Sequence, residues 1–210
     1  SRSPSHIPLL TGLEAAFPSE DDLKALCAAF GTTSAAPMLH VKGHTPEGHL
    51  APHAAAERLM ITPADLARVW YDFNTADDTV DLVAIGSPHA SLAECRRLAD
   101  LMHGQHCHAG TDMIVTLGRH VLSAARAEGI IERLQIAGVQ VIPDICWCSI
   151  SEPVFPGRTK VLMTNSGKYS HYATGLTGRG VRFGSVEDCA RAALTGRAPG
   201  KMPAWLSTGA

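Results

Sequence analysis

From Val80 onward the chain alternates short apolar runs with capped helical stretches, and few folds accept that pattern. The runs are Val80 to Ile85, Met113 to Leu117, Val139 to Ile142, Lys160 to Met163 and Val181 to Phe183. They lack sustained polar alternation, so they read as strands buried on both faces. Between them lie helix starts. Ser91 with Glu94 forms a capping box ahead of Leu92, Cys95, Leu98 and Leu101. Gly118-Arg119 leads into a helix from about His120 to Ala137, and Asn165-Ser166-Gly167-Lys168 opens another. Ser185 with Asp188 starts the last helix, which ends near Gly196. Repeated strand–helix units predict an α/β fold, a mostly parallel sheet with helices on both faces.

The first part of the chain is less regular. Ser19 and Asp22 cap a helix carrying Leu23, Leu26, Cys27 and Phe30, which Gly31 ends. Pro37 to Val41 reads as a strand, and Pro63 starts a helix that runs to about Phe73. Asn74 to Asp78 looks like a linker, so residues 1–79 form an N-terminal helical and strand segment and 80–210 an α/β lobe. The 210 residues carry a formal net charge of −2 and no basic block, which argues against a nucleic-acid partner. No apolar run approaches the roughly 20 residues of a membrane span. Six Cys are too sparse for a disulfide scaffold, and no apolar signal region follows Ser1, so a cytoplasmic location is expected.

The residues that carry chemistry fall at strand ends. In an open parallel sheet those ends form the edge where ligands bind. Pro143 cannot donate to a ladder, so the strand ends there and Asp144 to Pro153 lies in the following loop. Cys146 and Cys148 in that loop suit a metal or a reaction, or are small buried hydrophobes; two Cys are too few for a complete structural zinc site. Gly86 to Ser91 offers His89 as a general acid or base, or is a plain capped helix start. Ser166, Gly167 and Lys168 at a helix start suit a carboxylate or phosphate, or are a turn with a surface Lys. Arg119 suits a bidentate carboxylate clamp. His103, His106, Cys107 and His108 are dense enough for zinc, yet read more simply as a polar loop. Cys27, Cys95 and Cys189 fall on helices, where buried core thiols are the default.

Leu39 to Glu47, Gly86 to Ser91, Asp112 to Thr116, Asp144 to Cys148, Thr164 to Lys168 and Phe183 to Cys189 occur in this order and with these gaps. Together they resemble aconitase X, a divergent branch of the aconitase superfamily, over essentially the whole chain. The resemblance is to the C-terminal part of the family's large subunit or region. It implies an aconitase-like fold and a hydro-lyase that uses protein-bound iron, either an iron–sulfur cluster (two-iron first) or mononuclear iron. Cys146-Trp147-Cys148 and Glu152-Pro153 bring it nearest to bacterial members that dehydrate cis-3-hydroxy-L-proline to Δ1-pyrroline-2-carboxylate. Archaeal relatives dehydrate mevalonate 5-phosphate. The resemblance implies Cys146 as a metal ligand, Cys189 as a second, and a further ligand outside this chain. It implies Ser166, Gly167, Lys168 and Arg119 around the substrate carboxylate, with His89, Ser166 and Lys168 as catalytic candidates. The implied partners are the N-terminal portion of the large region and a small swivelling domain or subunit. Two other readings stand: a non-catalytic lobe that needs a partner chain, and a zinc module built on the His103 to His108 group.

Overall fold

The computed structural model describes residues 5–207. They form two compact units, the first ending at Thr62 and the second beginning at Pro63. In the first unit, strands β1 (Leu9–Leu10) and β2 (His40–Val41) pair in parallel, separated in sequence by helix α1 (Glu20–Thr33). The Ser19 hydroxyl accepts from the Asp22 N–H, and the Asp22 carboxylate accepts the Ser19 N–H at 2.9 Å. That capping box satisfies two donors the first helical turn would leave open. The strand expected from Pro37 shortens to its last two residues, since Pro37 has no N–H for a ladder.

The second unit starts with α2 (Pro63–Asp72). Then come β3 (Leu82–Ala90), α3 (Leu92–Leu101), β4 (Asp112–Leu117), α4 (Arg119–Ala127), α5 (Ile130–Ile136) and β5 (Val139–Pro143). A short 3-10 turn at Trp147–Ser149 precedes β6 (Val161–Thr164), α6 (Gly167–Thr177), β7 (Gly180–Phe183), α7 (Val186–Thr195) and α8 (Ala204–Ser207). Strands β3 to β7 make one sheet, ordered β5-β4-β3-β6-β7, with every pair parallel.

Successive strand residues feed two cores. Val83, Ile85, Met113, Val115, Val139 and Met163 pack on one face with Leu98, Ile131, Leu134 and Cys189. Leu82, Ala84, Ile114, Leu162 and Val181 pack on the other with Trp147, Phe155, Tyr169 and Ala173. Each fully buried aliphatic side chain contributes roughly 1.5–3 kcal/mol, so both faces had to be apolar and the strands lost their alternation. The helices divide unequally. Residues of α3, α4, α5 and α7 cover the first face, and α6 with the 147–149 turn covers the second.

Two expectations shift. The helix expected from His120 to Ala137 breaks at Gly129, whose φ of 69° is left-handed. Glycine enters that region at no steric cost, and the chain re-aims there. Residues 86–89, expected as a loop, belong to β3, which bulges and rejoins β4 where Ala90 meets Leu117. Gly86 permits the bulge: its φ is 104°, and a Cβ there would lie 2.1 Å from the Thr116 carbonyl oxygen. The linker-like segment ahead of residue 80 is tied to β7. Arg182 Nη1 donates to the carbonyls of Asn74 (2.9 Å) and Ala76 (2.8 Å), and Phe183 N–H donates to Asn74 Oδ1 (3.0 Å). Among the described residues no helix is long and apolar enough to cross a membrane.

Candidate active site

All five strands run the same way, so their carboxyl ends share one edge. β3 lies at the centre, with β4 and β5 to one side and β6 and β7 to the other. After β3 the chain passes to the first face through α3, and after β6 to the second through α6. The β3–β6 crevice is therefore the point where strand order reverses, the usual place for a ligand in such sheets.

Side-chain bonds knot the three expected loops at this crevice. His89 Nε2 donates to the Ile145 carbonyl at 2.9 Å; a carbonyl only accepts, so the ring proton sits on Nε2. Trp147 Nε1 donates to the Ile85 carbonyl at 2.8 Å. The Ser166 hydroxyl donates to the Ser87 carbonyl and accepts the Tyr169 N–H at 3.0 Å. Segments 86–91, 144–152 and 165–168 thus converge, as their shared place after parallel strands predicts. Two roles change as a result. His89 has committed Nε2 to the Cys146 loop and acts there as a tether. Ser166 has committed its hydroxyl on both sides and braces the start of α6.

Arg119, expected as a substrate clamp, is engaged elsewhere. Its backbone N–H and Nε donate to the two Asp144 carboxylate oxygens at 2.9 and 2.7 Å. Asp144 has φ 58°, the one positive φ at a non-glycine residue among those described. Asp is among the few residues that tolerate this conformation. The turn carries the chain from β5 toward His89, and the Asp144 carboxylate caps α4. The Arg119 backbone N–H, and then its side chain, hold the Asp144 carboxyl below its ordinary range. A depressed folded-state pKa stabilises above the ordinary aspartate range, and the effect is lost as pH falls through the folded value. We expect Asp144→Asn to remove this part of the acid sensitivity. The urea midpoint would then drop less between pH 6 and pH 3 than in the parent; an equal drop would show that the carboxylate contributes nothing.

Cys146 and Cys148 are half-buried free thiols, two residues apart in one turn. Burial first, then the adjacent Cys146, pushes the Cys148 thiol up, and the Lys168 ammonium opposes this. Lys168 is half-buried in the first turn of α6 and makes no ion pair among the described residues. The Tyr169 ring is fully buried, 5.2 Å from the Trp147 ring between centroids. Its hydroxyl and that of Ser87 are buried without a hydrogen-bond partner among the described residues. An unpaired buried hydroxyl costs about 1–3 kcal/mol, so such groups mark places where a partner belongs. The sequence reading missed both: Tyr169 looks like one more helix residue, and Ser87 like a loop residue.

The donor set fits iron in part. Soft thiolates suit iron and iron–sulfur centres, and Cys146 and Cys148 stand together at an open strand edge. Among the described residues, however, no group of three or more His, Cys, Asp and Glu side chains could enclose a metal ion. Two thiols are fewer donors than a closed metal site needs. Cys189 has different surroundings. It is fully buried in α7 within the first core, whereas Ile145 and Trp147, which flank Cys146, pack into the second. Burial pushes the Cys189 thiol far up. The His103 to His108 group disperses as well. The His106 ring lies against Gly138, His108 Nδ1 accepts the Gly110 N–H at 3.2 Å, and burial pushes the Cys107 thiol up to about 11.

Comparison with known proteins places this geometry. Residues 1–71 match the family model for the aconitase X second domain, and residues 80–195 match the third domain. A cis-3-hydroxy-L-proline dehydratase of Hypocrea jecorina is 44% identical over 97% of this chain and 35% of its own length. One of Pseudomonas aeruginosa is 42% identical over 96% of this chain and 36% of its own. The phosphomevalonate dehydratase large subunit of Methanothermobacter thermautotrophicus is 33% identical over 77% of this chain and 40% of its own. The holo-form crystal structure of Thermococcus kodakaraensis aconitase X superposes with a TM-score of 0.78 at 29% identity, over 91% of this chain and 48% of that one. The chain thus spans about a third of the length of the two dehydratases it matches at over 40% identity. With both domain models matched in order and the parallel sheet shared, the chain belongs to the aconitase X family.

Proposed function

We propose that this chain supplies part of the active site of a hydro-lyase that dehydrates a small hydroxy acid, cis-3-hydroxy-L-proline, to Δ1-pyrroline-2-carboxylate. The observation that carries the reading is the thiol pair and unpaired Lys168 at the β3–β6 crevice, in a chain 44% identical to a dehydratase of that substrate. The remaining parts of the site, and a swivelling domain or subunit, would come from regions beyond the third of the relatives' length spanned here. Cys146, with Cys148 beside it, would hold iron there, as a two-iron cluster or a single ion. Bound iron supplies a Lewis acid for the departing hydroxyl. We read the location as cytoplasmic, since a reducing compartment suits this pair of free thiols.

The chain's own residues bind and orient. Lys168 and the first free N–H groups of α6 face a carboxylate, and the helix dipole adds to their pull. His89 and Ser166 fix the two loops relative to each other. Trp147 and Tyr169 close the floor against water. The charge at the crevice favours hydroxyproline over mevalonate 5-phosphate. Arg119 is spent on Asp144, which leaves Lys168 to meet one carboxylate rather than a carboxylate and a phosphate. The test is Lys168→Met in the native protein, assayed with both substrates. A charge-assisted contact contributes roughly 1.5–3 kcal/mol, so KM for cis-3-hydroxy-L-proline should rise about tenfold to a hundredfold. Iron content should not change. Unchanged kinetics would make Lys168 a plain helix-start residue, and turnover of mevalonate 5-phosphate alone would replace the substrate.

A further inference from the structure

The end of the strands opposite the thiols also carries buried polar atoms without partners among the described residues. A cavity of about 300 Å³ opens between the end of α2, the segment that follows it, the last turns of α6 and the start of β7. That volume is at the small end of the range for ligand pockets, about 300–1,000 Å³. Its wall is preformed, since Arg182 and Asn74 pin the 74–76 segment to β7. Gly180 lets that segment come close: a Cβ there would lie 2.8 Å from the Ala76 Cβ.

Two buried donors in the lining have nothing to bond. Ser170 is 5% exposed, and its hydroxyl has no partner among the described residues. The same is true of Arg179 Nε. The outer nitrogens of Arg179 reach only the Gly157 carbonyl at 3.4 Å and Glu152 at 3.7 Å, so the guanidinium is loosely held. These donors call for an oxyanion. The rest of the lining calls for a cation. Asp72 contributes a carboxylate, and the negative dipole ends of α2 and α6 both lie in the lining. Phe73 and Val181 add an apolar surface between the two charged ends.

We propose that this cavity binds a small zwitterionic amino acid, its carboxylate on Ser170 and Arg179 and its ammonium toward Asp72. The site is separate from the dehydration crevice, and this reading can fail while the reaction stands.

The experiment is a ¹H–¹⁵N NMR titration of the chain with L-proline, a compact amino acid with an apolar ring, and in parallel with pyrrolidine and with acetate. The expected result is saturable shifts at Phe73, Gly178, Arg179 and Gly180, with a Kd on the order of 1 mM or tighter. Pyrrolidine and acetate should each bind at least tenfold more weakly. Arg179→Gln should weaken L-proline binding tenfold or more. Ser170→Ala gives a readout that a structural role would not. Removing an unpaired buried hydroxyl should leave the melting temperature unchanged or raised, while L-proline binding weakens. Absence of saturable shifts at these residues would overturn the proposal. So would acetate binding as tightly as L-proline, which would make this a plain anion site. A Ser170→Ala variant that binds L-proline as well as the parent would overturn it too.

Discussion

Cys146→Ala should remove iron and activity together from the native protein. Cys146 is the half-buried thiol that opens the strand-end turn, with the free thiol of Cys148 two residues on and His89 tethering the residue before it. Alanine would take away the proposed ligand, which no adjacent side chain can replace without moving a loop held by two cross-segment hydrogen bonds. The Lewis-acid contribution of a bound metal is several kcal/mol, so turnover should fall by about 10³-fold or more. The control is Cys189→Ala. That thiol lies in the other core, so its loss should lower stability by a small cavity cost and leave iron content at the parent value. Iron measured per chain decides the matter. Full occupancy in Cys146→Ala would remove Cys146 from the ligand set, and iron loss in Cys189→Ala would restore the pairing that the fold separates.

Trp147→Ala should be the most damaging single change to stability in the lobe. Trp147 is 1% exposed, lies against Tyr169 and donates to the Ile85 carbonyl at 2.8 Å. Truncating a buried Trp costs about 3–5 kcal/mol through lost transfer energy and the cavity left behind. The abandoned Ile85 carbonyl adds about 1 kcal/mol more. Trp147→Phe keeps most of the ring and loses the bond, so its effect should be the smaller of the two. Urea unfolding gives the size, and alkylation of Cys146 in the folded chain gives the local consequence. With its anchor gone, the 144–152 loop should open and expose the thiol, so alkylation should speed up. A loss below about 1 kcal/mol with unchanged alkylation would show that the loop is held by its other bonds.

Local chemistry carried much of this fold into the sequence. Ser19, Ser91 and Ser185 each start a helix through a capping box that involves only residues three apart. Both faces of the sheet are buried, so the strands are apolar without alternation, and a parallel α/β arrangement follows from that alone. The loops at 86–91, 144–152 and 165–168 each follow a strand, and parallel strands end at the same edge. Their convergence could therefore be read before any coordinates.

What only the tertiary structure decided is how each polar group is spent. Arg119 and Asp144 are twenty-five residues apart, and their pairing turns an expected substrate clamp into a helix cap. Ser166 and His89 lose their expected chemistry to carbonyls of Ser87 and Ile145, contacts that no spacing rule encodes. Cys146 and Cys189 both sit in motifs of the family, yet one lies at the strand edge and the other inside the opposite core. Which side of a sheet a helix covers depends on the handedness of its crossover and the order of strands, not on the helix's own residues. The unpaired hydroxyls of Tyr169 and Ser87, and the Ser170 hydroxyl and Arg179 Nε at the distant cavity, are visible only once packing has excluded water from them. Sequence sets what each residue prefers locally; burial and long-range partners decide which of those preferences is left free for a ligand.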